Sequence, residues 1–261
     1  MRSMDIAATG MLAQQLNVEV ISNNIANLNT TGFKRNRAEF QDLLYQSERR
    51  VGSDSSDQGT IVPAGVQIGI GVKAAAVYRI TEQGNLTPTN NPLDVAIQGR
   101  GYFQVKMPDG TTAYTRAGSF QASPTGEIVT ADGLTVMPGI TIPADTTALT
   151  INSSGQVLAQ ISGQIQQQNV GQLELASFAN EAGLDNLGNN LLAETAASGS
   201  PVTGAPATVG FGSLQQGFLE TSNVNVVSEI TNLITAQRAY EMNSKVIQVS
   251  DQMSSTLNNF R

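Results

Sequence analysis

From Asn223 to Asn259 the chain runs for 37 residues without a glycine or a proline. Within that stretch Val226, Ile230, Leu233, Gln237, Tyr240, Ser244, Ile247, Asp251 and Ser254 recur at steps of three and four. This spacing predicts one long helix with a heptad seam. At about 1.5 Å per residue it makes a rod of roughly 55 Å, too long for one small domain to bury. A second stripe, Val227, Ile234, Val246, Val249, Met253 and Leu257, leaves apolar surface on two sides. One partner helix does not cover both, so further partners are expected. Asn223 or Asn225 suits the helix N-cap. Gln237, Ser244 and Asp251 in the seam cost stability and specify register.

The other end repeats the pattern. From Met4 to Leu28, Ile6, Thr9/Gly10, Ala13, Leu16, Val20, Asn24 and Asn27/Leu28 mark one helical face, and Met4, Ala8, Met11/Leu12, Gln15 and Val18 a second. Thr30-Thr31-Gly32 ends the segment, with Gly in its usual place beyond a helix C-terminus. Four asparagines, Asn23, Asn24, Asn27 and Asn29, crowd this end. Asn is a poor helix former whose amide both donates and accepts. Helix-end capping accounts for one or two of them, and side-chain hydrogen bonds across a packed interface account for the set.

Between the helices the texture changes to short alternating runs broken by turn residues. Val95-Ala96-Ile97, Gly101 to Val105 and Thr112 to Thr115 are strand-like, and Pro108-Asp109-Gly110 supplies a favoured hairpin turn. Similar units follow at Glu127 to Thr130, Leu149 to Ile151, Gln156 to Ala159 and Gly171 to Phe178. The expected fold is α+β: long N- and C-terminal helices forming a coiled-coil-like bundle, with a central all-β domain. The expected division is 1–45, an N-terminal assembly helix and loop; 46–90, an extended linker; 91–199, the β domain; 200–222, a return linker; and 223–261, the C-terminal assembly helix. Gln46 to Gly65 and Ala196 to Gly210, rich in Ser, Gly, Pro or charge, are expected to lack regular structure.

The chain has no Cys and no His, which removes Ser-His-Asp and Cys-His nucleophiles and metal sites built on imidazole or thiolate. Its carboxylates are scattered, each with a turn or solvent role, so no acid/base pair stands out. The glycine pairs Gly69-Ile70-Gly71 and Gly99-Arg100-Gly101 do not open a helix after a strand, as phosphate binding requires; turns or bulges suit them. Lys34-Arg35-Asn36-Arg37 is expected to be a solvated basic face. A formal charge of −7 argues against nucleic acid as a partner. No run of about 18 apolar residues suggests a membrane helix, and polar residues interrupt the N-terminus too early for a cleavable signal peptide. No enzyme activity, cofactor or metal is expected.

Five sequence elements also carry a family resemblance: Ser22 to Lys34, SNNIANLNTTGFK; Asn91 to Val105, NPLDVAIQGRGYFQV; Tyr114 to Phe120, YTRAGSF; Gly217 to Asn225, GFLETSNVN; and Gln237 to Glu241, QRAYE. In this order they resemble the bacterial flagellar rod and hook proteins. Chain length and the segment Tyr45 to Asn85 favour a distal-rod member, with a proximal-rod paralogue as the alternative. The resemblance implies a structural subunit that assembles with copies of itself into a hollow helical tube, transmitting torque and passing exported subunits. It also implies rod, hook and surrounding ring proteins as partners, a place in the basal body crossing the periplasm, and export through the flagellar apparatus without a cleaved signal. Asn23, Asn24, Asn27, Phe33, Val226, Ile230, Leu233, Tyr240 and Ile247 are the expected assembly interface. A binding module, such as a glycan-recognising β domain, fits poorly because only 5% of residues are aromatic.

Overall fold

The computed structural model describes residues 2–49, 64–164 and 166–259. Two helices, α1 (Arg2–Ala26) and α2 (Val226–Asn259), stand at the ends of the chain, and short strands and turns dominate between them. The chain divides into two compact units. One comprises Met1–Ile25, Asn36–Tyr78 and Asn225–Arg261, the other Ala26–Arg35 and Arg79–Val224. No helix among the described residues is long and apolar enough to cross a membrane.

In the first unit, Asn225 caps α2: its side-chain oxygen accepts from the Ser228 N–H at 3.1 Å, satisfying one of the donors a helix start leaves open. The two helices meet through small and polar residues. Ser3 and Ser250 hydroxyls are 3.0 Å apart, and Asn24 donates to the Glu229 carboxylate at 3.3 Å. A Cβ placed on Gly10 would stand 2.8 Å from the Asn243 amide nitrogen. These three contacts are matched in spacing, stepping down α1 as they step up α2, so the helices run antiparallel in one register. Ala7, Ala13, Val20, Ile21 and Ala236 are buried.

The seam expected on α2 coincides only in part with the stripe that meets α1. Glu229, Asn243 and Ser250 occupy that contact, while Ile230 and Tyr240 are exposed and Val226, Leu233 and Ile247 half-buried. Periodicity alone ranked the apolar stripe first, but a glycine and short side chains allow closer approach than Ile or Tyr does. Two strand pairs complete the unit: Asn36–Asp42 with Val72–Arg79, and Tyr45–Arg49 with Val66–Gly69. Gln46 to Arg49 and Val66 onward are therefore strands where an extended linker was expected; residues 50–63 of that stretch lie outside the described residues.

The second unit is built on antiparallel β structure. Strand Tyr102–Lys106 pairs with Thr112–Thr115 on one edge, and on the other with Leu175–Ser177 and Thr135–Val136. The Asp109-Gly110 turn closes the first of these hairpins, with Gly110 at φ 86° and its N–H donated to the Met107 carbonyl at 3.0 Å. A three-stranded meander, Thr146–Ile151, Gln156–Ile161 and Gln168–Gln172, stands beside this sheet as a separate one. The main core gathers Val95, Ile97, Phe103, Phe120, Ile128, Val136, Val157, Leu173 and Leu175. Phe103 and Phe120 meet edge to face at 5.0 Å. The stretch expected as a return linker holds three strands, Val202–Gly204, Ser213–Gln216 and Phe218–Glu220, each paired with an earlier strand.

The close approach at Gly10 leads to a test. Gly10→Leu would wedge the helices apart at Asn243, at a cost of about 1–3 kcal/mol, and should strip amide protection from both α1 and α2 in hydrogen exchange. Gly10→Ala gains about 1 kcal/mol of helix propensity and displaces only the end of one amide, so its protection should stay close to the parent's.

Candidate functional site

Glu220 ends the strand Phe218–Glu220 with its carboxylate fully buried. One oxygen accepts from the Lys34 ammonium at 2.5 Å and from the Gly84 N–H at 2.9 Å. The other accepts from Arg116 Nε at 2.6 Å. Arg116 donates its remaining N–H groups to the carbonyls of Gly101, Gly99 and Ile97 at 2.6, 2.5 and 3.2 Å, and Lys34 also donates to the Glu82 carbonyl at 2.7 Å. Two buried cations thus face one anion, and four backbone carbonyls turn their partial negative charge toward the cations. Burying ions costs several kcal/mol each unless every donor is met; here the principal donors are met.

Backbone contacts close the same cluster. Gly32 donates to the Glu220 carbonyl at 2.8 Å. It sits at φ 69°, and a Cβ there would lie 2.9 Å from the Arg116–Ala117 backbone, so the loop carrying Lys34 approaches only as glycine. Asn223 accepts from the Arg35 N–H at 2.8 Å and donates to the carbonyls of Ile80 and Glu82 at 3.0 Å. Asn223 thereby serves this loop, and the capping role falls to Asn225.

Burial pushes the Glu220 carboxyl up, but Arg116 and Lys34 outweigh it and hold it below the usual carboxylate range. Burial likewise draws Lys34 below the usual amine range, against the pull of Glu220. Lys34 is therefore not part of a solvated basic face: it is buried, because its charge is met by Glu220 and a carbonyl. Sequence reading missed the cluster since its members stand far apart in the chain. The available signal was a single charge inside each of three apolar or small-residue motifs: Lys34, Arg116 and Glu220.

The helical unit offers a different surface. On α2, Val227, Ile230, Ile234, Met242, Val246, Val249 and Met253 are exposed, and on α1 Leu12 is 67% exposed. Exposed apolar residues gathered on one helix face are of the kind that protein–protein contacts use. Of the expected interface residues, Ile230 and Tyr240 lie on it. Asn24 does not: it is 1% exposed, and its amide donates to the Asn36 carbonyl and accepts from the Asn36 N–H, both at 2.8 Å. The Asn24 amide thus works inside the chain. Asn27 accepts from Thr30 at 3.1 Å, Asn23 is exposed and Phe33 half-buried. No group of three or more acidic residues suited to a metal ion occurs among the described residues.

Glu220→Gln should lower the stability of the β unit at neutral pH by about 3–5 kcal/mol, since it leaves two buried cations short of their anion. A depressed carboxyl stabilises the fold above its unfolded value of about 4.3 and loses that contribution as pH falls through the native value. Urea unfolding followed by near-ultraviolet circular dichroism at pH 7 and pH 3 should show a smaller loss between the two in the variant than in the parent.

Three family descriptions match the chain in order: "Flagella basal body rod protein" at residues 4–34, "Flagellar hook protein FlgE/F/G D1 domain" at 96–159, and "Flagellar basal body rod FlgEFG protein C-terminal" at 215–260. The flagellar basal-body rod protein FlgG of Caulobacter vibrioides is 62% identical, over 97% of each chain. That of Agrobacterium fabrum is 56% identical over 98% of this chain and 97% of its own. The protein of the same name from Borreliella burgdorferi is 47% identical over 100% of this chain and 99% of its own. With identity of this extent over nearly its whole length, the chain belongs to the bacterial flagellar rod and hook family, in its FlgG basal-body rod branch.

Proposed function

We propose that the chain is a structural subunit of the distal flagellar rod, assembling with copies of itself into a helical tube that transmits torque and surrounds a path for exported subunits. The single observation that carries this reading is the division of labour on the helices. Their contact with each other combines small and polar pairs with a few buried apolar residues, while Val227, Ile230, Ile234, Val246, Val249 and Met253 of α2 stay exposed. A helix pair built in that way has its strongest adhesive surface left for neighbours, and coiled-coil-like packing among terminal helices of several copies would cover it.

The wider reading draws on the family. Rod and hook proteins adjoin such a subunit in the basal body; ring proteins and the export apparatus are proposed as its further contacts. Catalysis has no place in the reading: the chain lacks His and Cys, and its buried ionisable groups are engaged with one another and with backbone carbonyls. Ile230, Tyr240, Val226, Leu233 and Ile247 remain proposed interface residues, with Ile234 added from its exposure.

A double substitution tests this in the full chain. Ile230→Asp with Ile234→Asp alters only exposed positions of α2, so helix content by circular dichroism should match the parent while sedimentable tubes disappear from electron micrographs. Tubes forming at the parent's protein concentration would refute helix-mediated assembly.

A further inference from the structure

A groove of about 340 Å³ lies along the helical unit, lined by Gln15, Val18 and Glu19 of α1 and Gln237, Tyr240 and Glu241 of α2. Val18 and the Tyr240 ring give it apolar surface, and two carboxylates stand at its edges. Gln15 donates to Glu19 at 3.1 Å, which holds one of them in place. An anionic groove with an aromatic ring suits a long cationic side chain: the methylenes lie on apolar surface and the charge reaches carboxylate or ring face.

The same helix carries the matching feature. Arg238 and Lys245 are exposed, two turns apart, and among the described residues neither forms an ion pair. Exposed Ile234, Met242 and Val249 surround them. At 100° per residue this edge is turned roughly 100° around α2 from the Gln237, Tyr240 and Glu241 side. Groove and basic edge therefore occupy adjacent faces of one helix, and Glu241 is the one groove residue of α2 that helical spacing brings near the basic pair.

We propose that the groove receives the Arg238/Lys245 edge of α2 from a second copy of this chain. The inference rests on the assembly reading above and assigns the two halves of one contact. Because the donating and receiving faces differ, a copy whose edge is seated in one neighbour keeps its own groove open for the next, a head-to-tail contact that builds a ring or an open helical filament. Glu241 lies three and four residues from Arg238 and Lys245 and has an intrahelical alternative. That alternative is weak, about 0.3–0.5 kcal/mol for an exposed pair of this spacing, and the carboxylate stands at the groove instead.

Charge exchange tests the assignment in the full chain. The groove variant combines Glu19→Lys with Glu241→Lys; the edge variant combines Arg238→Glu with Lys245→Glu. Each alone places like charges on both halves of the contact, and each should reduce sedimentable polymer at least tenfold relative to the parent. Mixed in equal amounts, each variant's groove meets the other's edge with opposite charge, so polymer should return. Either variant polymerising alone like the parent overturns the assignment, as does a mixture that stays soluble while both variants keep the parent's circular dichroism. If a variant loses helix content, the neutral pair Glu19→Gln with Glu241→Gln takes its place. It should abolish the parent's loss of polymer with rising salt, and an unchanged salt dependence overturns the proposal. A parent chain that forms no polymer would instead refute the assembly reading itself, a separate outcome.

Discussion

The Glu220 carboxylate is the point on which the β unit turns. A buried anion held by Lys34 and Arg116 joins three stretches that are remote in sequence: the loop 26–35, the stretch after Thr112–Thr115, and the last strand before α2. Each stretch could pack apolar side chains in many ways; a buried charge can be satisfied in very few. Ion clusters of this kind add little net stability over well-packed apolar residues and penalise wrong arrangements heavily. The four carbonyls on the cations extend that selection to the backbone, so the Gly99 to Gly101 turn and Glu82 must also be in place.

The helical unit follows the opposite economy. Its internal contact uses serine hydroxyls, an amide on a carboxylate and a glycine against an asparagine, all specific and none strongly adhesive. Many of the large apolar residues of α2, whose burial would release about 25 cal/mol per Å², are exposed. Such a pair has a register of its own and, in the proposed assembly, leaves apolar surface for a neighbour to cover.

Much of this was legible from residue order. The 3-4 spacing located both helices to within a few residues, and the turn signal at Asp109-Gly110 located the hairpin it closes. Lys34 was misread as solvated because a sequence pattern ranks a residue by its own polarity. Burial depends on what it meets. Lys34 meets Glu220 from 186 residues away, and Ser250 meets Ser3 from 247 away. Asn24 was singled out as an interface residue, yet its amide is buried and engages the backbone of Asn36, twelve residues on, and Glu229.

Sequence by itself determined the element types, the turns, the lack of His and Cys chemistry and the excess of apolar helix surface, because each follows from local backbone preference or from side-chain inventory. Tertiary structure alone decided which helix face is internal, which charges are buried and where a groove and a basic edge sit on α2. Those depend on distances between residues far apart in the chain, where the fit of a glycine to an amide, or of one carboxylate to two cations, outweighs the intrinsic hydrophobicity of either partner.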